Sequence, residues 1–240
     1  MNIGIVIPAF NESARLPKTL TDLSAAIQNG TFSGARIVDV LVVDDGSSDE
    51  TAKIPKPPHR ALSLNQNHGK GAAVRAGIRE SKGEWVLVAD ADQSTPWDQL
   101  NTLIQAIRDS RGAKIAIGSR GLDRSRLTRR QSPIRENLGK LFNGLIVSLS
   151  GLPFRDTQCG FKLIHKPGVI DWLGELNVDR FAWDVELLLE AMQRQIPIIE
   201  VPVSWRHEDG SKVHVLRDGT KMVIDFMRIR TRVRLRSRHR

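Results

Sequence analysis

The chain has one cysteine in 240 residues. A lone Cys159 excludes an internal disulfide and fits a reducing, cytoplasmic setting. One cysteine and six scattered histidines also give none of the paired spacings of a structural zinc site. No apolar run approaches the roughly 20 residues that a membrane-spanning helix needs. The opening residues, Met1-Asn2-Ile3-Gly4-Ile5-Val6-Ile7, carry no basic segment and no cleavage pattern, so they read as a first strand rather than a secretory leader. No stretch is low in complexity, and no internal repeat of solenoid length is present. Two phosphate-binding signatures are missing as well. Pro8-Ala9-Phe10-Asn11-Glu12 stands where a dinucleotide-binding unit needs Gly-x-Gly-x-x-Gly. Gly69-Lys70-Gly71 has a lysine but neither the upstream glycine spacing nor the following Ser or Thr of a P-loop.

What is present is enough apolar residue, 40% of the chain, for one large α/β domain or two small ones with a real core. The net charge of +9 is not spread evenly. Arginines 228, 230, 232, 234, 236, 238 and 240 supply seven of those charges without an acid among residues 226–240, leaving +2 on the rest. Within that rest, residues 120–135 hold six arginines against Asp123. A nearly neutral body therefore carries two basic patches, which suit nucleic acid, an anionic membrane surface or a phosphorylated substrate equally well.

In chain order, apolar runs at 3–7, 37–43, 61–64, 85–88 and 113–117 read as strands, and periodic stretches at 14–28, 70–81 and 97–108 read as helices. Ser13 is positioned to cap the first helix, whose Leu16, Leu20, Leu23 and Ile27 share one face. Ser47, Ser48 or Asp49 is placed to cap the segment after the second strand. Strand and helix alternate as in a wound, mainly parallel sheet, and polar clusters follow almost every strand. Ligands gather at those carboxyl ends. The fourth strand runs into Asp90-Ala91-Asp92. Two carboxylates at that spacing either offer hard oxygens to a divalent cation bridging a diphosphate, or cap the next helix and lie exposed.

The ordered motifs Pro8-Ala9-Phe10-Asn11-Glu12, Val43-Asp44-Asp45-Gly46-Ser47-Ser48-Asp49-Glu50-Thr51, Asn67-His68-Gly69-Lys70-Gly71 and Asp90-Ala91-Asp92 resemble those of family 2 glycosyltransferases. Gly118-Ser119-Arg120, Gln131-Ser132-x-x-Arg135 and Asp156-Thr157-Gln158-Cys159-Gly160-Phe161-Lys162 are similar to the polyprenyl-phosphate sugar synthases within it, dolichyl-phosphate β-glucosyltransferases first and mannosyltransferases next. The likeness covers roughly residues 1–215. It implies a single-domain GT-A fold, a Rossmann-like, mainly parallel twisted sheet flanked by helices, over 1–215, with a C-terminal helix and polybasic tail at 216–240.

The resemblance also implies roles. Pro8, Ala9, Asn11, Glu12 and Ala91 would line the nucleotide-sugar pocket, and Asp45 or Asp44 would hold base or ribose, a carboxylate being an acceptor for their N–H and O–H groups. Lys70 would approach the sugar-nucleotide. Asp92 is the expected ligand of Mg²⁺ or Mn²⁺, and Asp90 would touch ribose, sugar or the metal's water shell, the ion neutralising charge on the departing diphosphate. Gln93 is a further possible oxygen donor. The glutamine that some relatives carry two residues past the second Asp has no counterpart here, where Ser94 stands. Arg120, Ser132 and Arg135 match positions that bind the acceptor phosphate, and guanidinium forks suit that task. The catalytic group is thus expected to be Asp92, Arg120 and Arg135. Asp156, Gln158, Asp184, Ser211 and Lys212 would touch the sugar or diphosphate, while a helix-capping role competes for Asp184. Cys159 reads as a packed residue, since nothing near it in the sequence activates a thiolate.

The implied activity is inverting transfer of glucose or mannose from UDP-glucose or GDP-mannose to a polyprenyl phosphate, peripheral on the cytoplasmic membrane face. Arg124, Arg126, Arg129 and Arg130 are either a loop attracting lipid head groups or a solvated loop. Residues 131–150 have the pattern of an amphipathic helix, and 218–229 of another. The period-two arginine tail would scatter charge around a helix, so it is expected to lie extended on anionic lipid. Two alternatives stand beside this reading. An enzyme of the same fold acting on a hydroxyl acceptor needs a carboxylate base, with Asp184 or Asp156 as candidates. A nucleic-acid-binding protein needs aromatic platforms among its arginines, and the tail has none after Phe226; no nucleic-acid partner is expected.

Overall fold

The computed structural model describes residues 1–129, 144, 151–207, 225–227 and 229. Strand β1 (Asn2–Ala9) is built from β-branched residues, Ile3, Ile5, Val6 and Ile7, whose stiff side chains favour an extended backbone. It pairs in parallel with β2 (Arg36–Asp44) on one side and β4 (Trp85–Val88) on the other. The edge strand β3 (Arg60–Ser63) lies against β2. Helices α1 (Leu16–Gln28), α2 (Lys70–Glu80) and α3 (Gln99–Asp109) fill the intervals, and β5 (Ile115–Ser119) follows.

A short β6 (Leu127–Arg129) pairs in parallel with β9 (Trp205–Arg206). The remaining elements are β7 (Lys162–His165), α4 (Trp183–Gln193) and β8 (Ile198–Pro202). Seven strands form one sheet in the order β3-β2-β1-β4-β7-β5-β8. Only β7 runs antiparallel, inserted between β4 and β5. The sheet is therefore mixed but mostly parallel, as expected.

Alternation along the strands sorts the core into two layers. Ile3, Ile5 and Ile7 of β1, with Val40 and Val42 of β2, pack under α1 and α3, where Leu16, Leu20, Leu23, Leu100, Leu103 and Ile104 are buried. Val6, Leu41 and Val43 face the other way, onto Ala73, Val74 and Ile78 of α2 and onto Trp183, Val185 and Leu188 of α4. Each fully buried Leu, Ile or Val contributes about 1.5–3 kcal/mol by leaving water. Phe226 and Ile229 close this second layer.

One local expectation fails. Helix α1 starts at Leu16 with Arg15 in the capping position and no side-chain cap, and Pro17 occupies its first turn. Ser13 does not cap it; the Ser13 N–H instead donates to Asp49 Oδ2 at 3.2 Å. Asp49 is the cap of the turn Glu50–Lys53, accepting from the Thr51 N–H.

Candidate active site

The parallel strands end at one edge, and the polar segments that follow them are lashed together there. Pro8 and Ala9 are buried at the end of β1. Asn11, at φ 54°, donates its N–H to Ser47 Oγ at 2.8 Å and accepts from the Ser48 N–H at 2.8 Å. The Glu12 N–H donates to Thr51 Oγ1 at 2.7 Å, and the Glu12 carboxylate holds Arg15 at 2.6 and 2.7 Å.

Asp45 turns back into the protein. Its carboxylate accepts from the N–H groups of His68 at 2.9 Å and Gly69 at 2.7 Å, and from Asn67 Nδ2 at 3.0 Å. Burial pushes its pKa up, against those hydrogen bonds. Asp45 therefore fixes the start of α2, where Gly69 takes φ 116°, a left-handed value open to glycine.

That fixed start presents Lys70, whose Nζ lies 2.5 Å from Asp90 Oδ1. Burial opposes the lysine's charge, but Asp90, Asp184 and Asp92 outweigh it, and its pKa is raised. Asp92 accepts from the Ser94 N–H at 3.0 Å. Burial first, and then the neighbouring Asp90, push its pKa up, while Arg15 pulls it down. Ala91 is buried between the two acids, its carbonyl accepting from Thr19 at 2.7 Å. Gln93 is not available as an oxygen donor. Its amide, oriented to satisfy both neighbours, donates to Asp22 and accepts from Trp97 Nε1.

Further along the edge the expected contacts pair with cations of the protein itself. Arg120 and Asp156, assigned separately to acceptor and sugar, grip each other. Arg120 Nε and Nη2 donate to Asp156 at 2.6 and 2.9 Å, and the Arg120 N–H donates at 3.0 Å. Burial would raise the Asp156 pKa, but Arg120 overrides it and holds the carboxyl at about 2. Glu200 of β8 fixes this loop by accepting from the N–H groups of Arg155 at 3.0 Å and Asp156 at 2.8 Å. Trp205 lies 5.6 Å from the Arg120 guanidinium, ring face toward it. The Gln158 N–H donates to Asp156 Oδ1 at 3.2 Å.

Asp184 sits in the first turn of α4 but makes no capping bond there. It forms a buried ion pair with Lys162. Burial pushes its pKa up, and Lys162 and Lys70 oppose that. Cys159 is buried, its thiol pushed up to about 11 chiefly by burial, so it packs and does not attack.

The donor set fits a divalent ion held in part by substrate. Among the described residues no three His, Cys, Asp or Glu side chains converge as a closed cage. Asp90 and Asp92 nevertheless present two close carboxylates whose mutual repulsion a cation would relieve, and Mg²⁺ sites commonly use one or two carboxylates plus phosphate oxygens.

Ser132, Arg135, Arg130, Ser211 and Lys212 lie outside the described residues, as do the helix expected over 131–150, most of that over 218–229, and the arginine tail beyond 230. Arg126 ion-pairs with Asp123 at 3.2 Å and donates to the Pro202 carbonyl, so this member of the basic loop is held to the body. Lys162, Glu200 and Arg15 join the site without having been assigned to it, and Trp205 joins it as the first residue of the segment expected to lead into the Ser211-Lys212 loop. Lys162 carried a signal, a lysine inside the apolar run Phe161–Ile164; Glu200 and Arg15 carried none.

An Asp-x-Asp at the end of a central strand of a mostly parallel, helix-flanked sheet defines a GT-A glycosyltransferase. The chain belongs to glycosyl transferase family 2, whose model matches residues 4–169. It is similar to the dolichyl-phosphate β-glucosyltransferases of Homo sapiens (36% identity, 96% of this chain and 75% of that one) and Dictyostelium discoideum (34%, 96% and 74%). Among solved structures, mannosyl-3-phosphoglycerate synthase from Rubrobacter xylanophilus shares the fold with a TM-score of 0.72 at 18% identity, over 100% of this chain and 75% of that one. Mycobacterium tuberculosis glucosyl-3-phosphoglycerate synthase, in complex with Mn²⁺ and UDP-glucose, does so with a TM-score of 0.68 at 16% identity, over 94% and 77%.

Proposed function

We propose that the chain moves glucose from UDP-glucose to the phosphate of a dolichyl or similar polyprenyl phosphate, with inversion, giving a β-linked lipid-phosphate sugar. The activity of its dolichyl-phosphate β-glucosyltransferase relatives supports the donor sugar and the acceptor. One observation carries the choice of a phosphate over a hydroxyl acceptor. Asp156 and Asp184, the carboxylates a hydroxyl would need as base, are both buried and spent on ion pairs with Arg120 and Lys162. Asp156, its carboxyl held at about 2, is a poor base at neutral pH, and Asp184 is withheld by its burial and its ion pair with Lys162.

A phosphate acceptor needs no base. Its anionic oxygen attacks the anomeric carbon, the bond from that carbon to the UDP oxygen breaks, and UDP departs with the electron pair; no proton moves. The chain's work is positioning and charge compensation. Pro8, Ala9, Asn11 and Glu12 would shape the nucleotide pocket, with Asp45 setting the loop that completes it. Lys70 stays protonated and would face the diphosphate. Asp92, with Asp90 beside it, would hold Mg²⁺ or Mn²⁺, which supplies neutralisation of the leaving diphosphate when bound. Arg120 would offer Nη1, unused by any hydrogen bond among the described residues, to the acceptor phosphate; Ser132 and Arg135 complete that reading, and Ser211 and Lys212 would close over the diphosphate.

Among the described residues no helix is long and apolar enough to cross a membrane. A peripheral position on the cytoplasmic membrane face, through the arginine tail on anionic lipid, accords with the acceptor. Removal of 230–240, which spares the packed Phe226 and Ile229, is expected to abolish flotation with anionic liposomes; unchanged flotation rejects that placement.

The test of the activity is incubation of the protein with polyprenyl phosphate and radiolabelled UDP-glucose or GDP-mannose, with and without EDTA. Label is expected in the lipid phase from UDP-glucose, and to be lost with EDTA. No lipid label from either donor overturns the proposal, label from GDP-mannose alone overturns its donor, and indifference to EDTA overturns the metal.

A further inference from the structure

Lys162 is 0% exposed, an extreme rarity for a lysine. It opens β7, opposite Val88 of β4 and Ile117 of β5, so its side chain shares the layer in which those two residues pack against α2 and α4. Four charges alternate upward from it. Lys162 pairs with Asp184, Asp184 acts on Lys70, and Lys70 pairs with Asp90 at the open edge. The Trp183 ring covers the ammonium at 5.5 Å.

A second arm leaves the same ammonium. Lys162 Nζ donates to the Cys159 carbonyl at 2.5 Å. The next residue, Gly160, is pressed so closely on Asp90 that an added Cβ would lie 2.0 Å from Asp90 Oδ2. The buried cation thus fixes both halves of one ion pair, the lysine from the α4 side and the aspartate from the 158–160 loop.

We infer that Lys162 is a positioning residue for the Lys70–Asp90 pair, acting through Asp184 on one side and the Cys159 carbonyl on the other. It never meets substrate. The two arms keep the lysine at the site of the leaving diphosphate and the acid beside Asp92, which is where this inference rests on the function proposed above. A buried cation is retained there because displacing reacting groups by about 1 Å costs on the order of a hundredfold in rate, whereas apolar side chains would serve packing alone equally well.

The experiment compares Lys162→Met, and Lys162→Met combined with Asp184→Asn, with the native chain. The double variant removes both buried charges, so it remains informative if the single one fails to fold. Melting curves report folding, calorimetry reports UDP-glucose affinity, and steady-state transfer to polyprenyl phosphate separates kcat from the two KM values. The expected result is a folded protein whose kcat falls by roughly a hundredfold and whose affinity for UDP-glucose weakens, with the acceptor KM unchanged. A folded double variant with native kcat and native UDP-glucose affinity overturns the inference. Equal weakening toward donor and acceptor also overturns it, since that marks general loosening. If the native chain transfers nothing to polyprenyl phosphate, the proposed function fails on its own, and the calorimetric arm still decides the role of Lys162.

Discussion

Replacing Asp156 by Asn tests the ion-paired clamp between Arg120 and Asp156. The carboxylate accepts three hydrogen bonds from Arg120 and one from the Gln158 N–H. Asn keeps the shape, removes the charge and turns an N–H₂ toward a guanidinium that cannot accept. The native carboxyl titrates at about 2 against 3.8 for an ordinary one, which corresponds to roughly 2 kcal/mol of stabilisation at neutral pH. Arg120 keeps about a third of its side chain in water, so losing its partner adds little and the cost stays at roughly 2 kcal/mol. For a chain of this length that lowers Tm by about 4–8 °C.

The sign of the pH effect follows from the depressed pKa. Stability from this carboxylate is fully present above the ordinary value and is lost as pH falls through the folded one. The gap between native protein and variant is therefore constant near neutrality, reduced to about half at pH 3, and closed below pH 2. Urea unfolding at pH 7, 5 and 3 measures it. A variant as stable as the native chain at pH 7, or a gap that does not narrow with acid, refutes the reasoning.

Three further outcomes follow from the same geometry. Gly160→Ala is expected to lower kcat by roughly tenfold to a hundredfold while leaving the fold intact, because the new Cβ must displace the Asp90 carboxylate; activity equal to the native protein contradicts the close approach. Lys70→Met removes the cation paired with Asp90 and is expected to weaken UDP-glucose by roughly tenfold to a hundredfold, read by calorimetry, with unchanged affinity as the refuting result. Cys159, with its thiol at about 11, is expected to resist a disulfide reagent at pH 7.5 in the folded protein and to react once urea exposes it; rapid native labelling contradicts its burial.

The strand and helix pattern was legible because most of the parallel strands are short apolar runs rich in Ile and Val and ended by polar residues. Boundaries moved by about two residues where burial changes gradually: the expected strand at 113–117 occupies Ile115–Ser119, and the helix expected from Trp97 begins at Gln99. The inserted antiparallel β7 was not legible, since Lys162 at its head hides a buried strand behind a charge that only its partner Asp184, 22 residues away, makes tolerable. The same cause limited the site. Asp90, Asp92 and Lys70 declare themselves at strand and helix ends. Whether Arg120 and Asp156 face substrate or each other depends on tertiary distance, which residue type and spacing do not carry. Gln93 is a similar case, turned away by Asp22 and Trp97, and Ser13 misses its capping role because the helix starts at Leu16 with Arg15 in the cap position, two residues further on.

In the proposed reaction the nucleophile arrives already ionised and the protein supplies no base. Its most direct test offers the same polyprenyl chain as the phosphate and as the free alcohol, with UDP-glucose as donor, and compares initial rates of lipid glucosylation. Transfer to the phosphate and none to the alcohol is expected. Transfer to the alcohol at a comparable rate would contradict it, because one of the buried carboxylates would then have to leave its cation and take a proton.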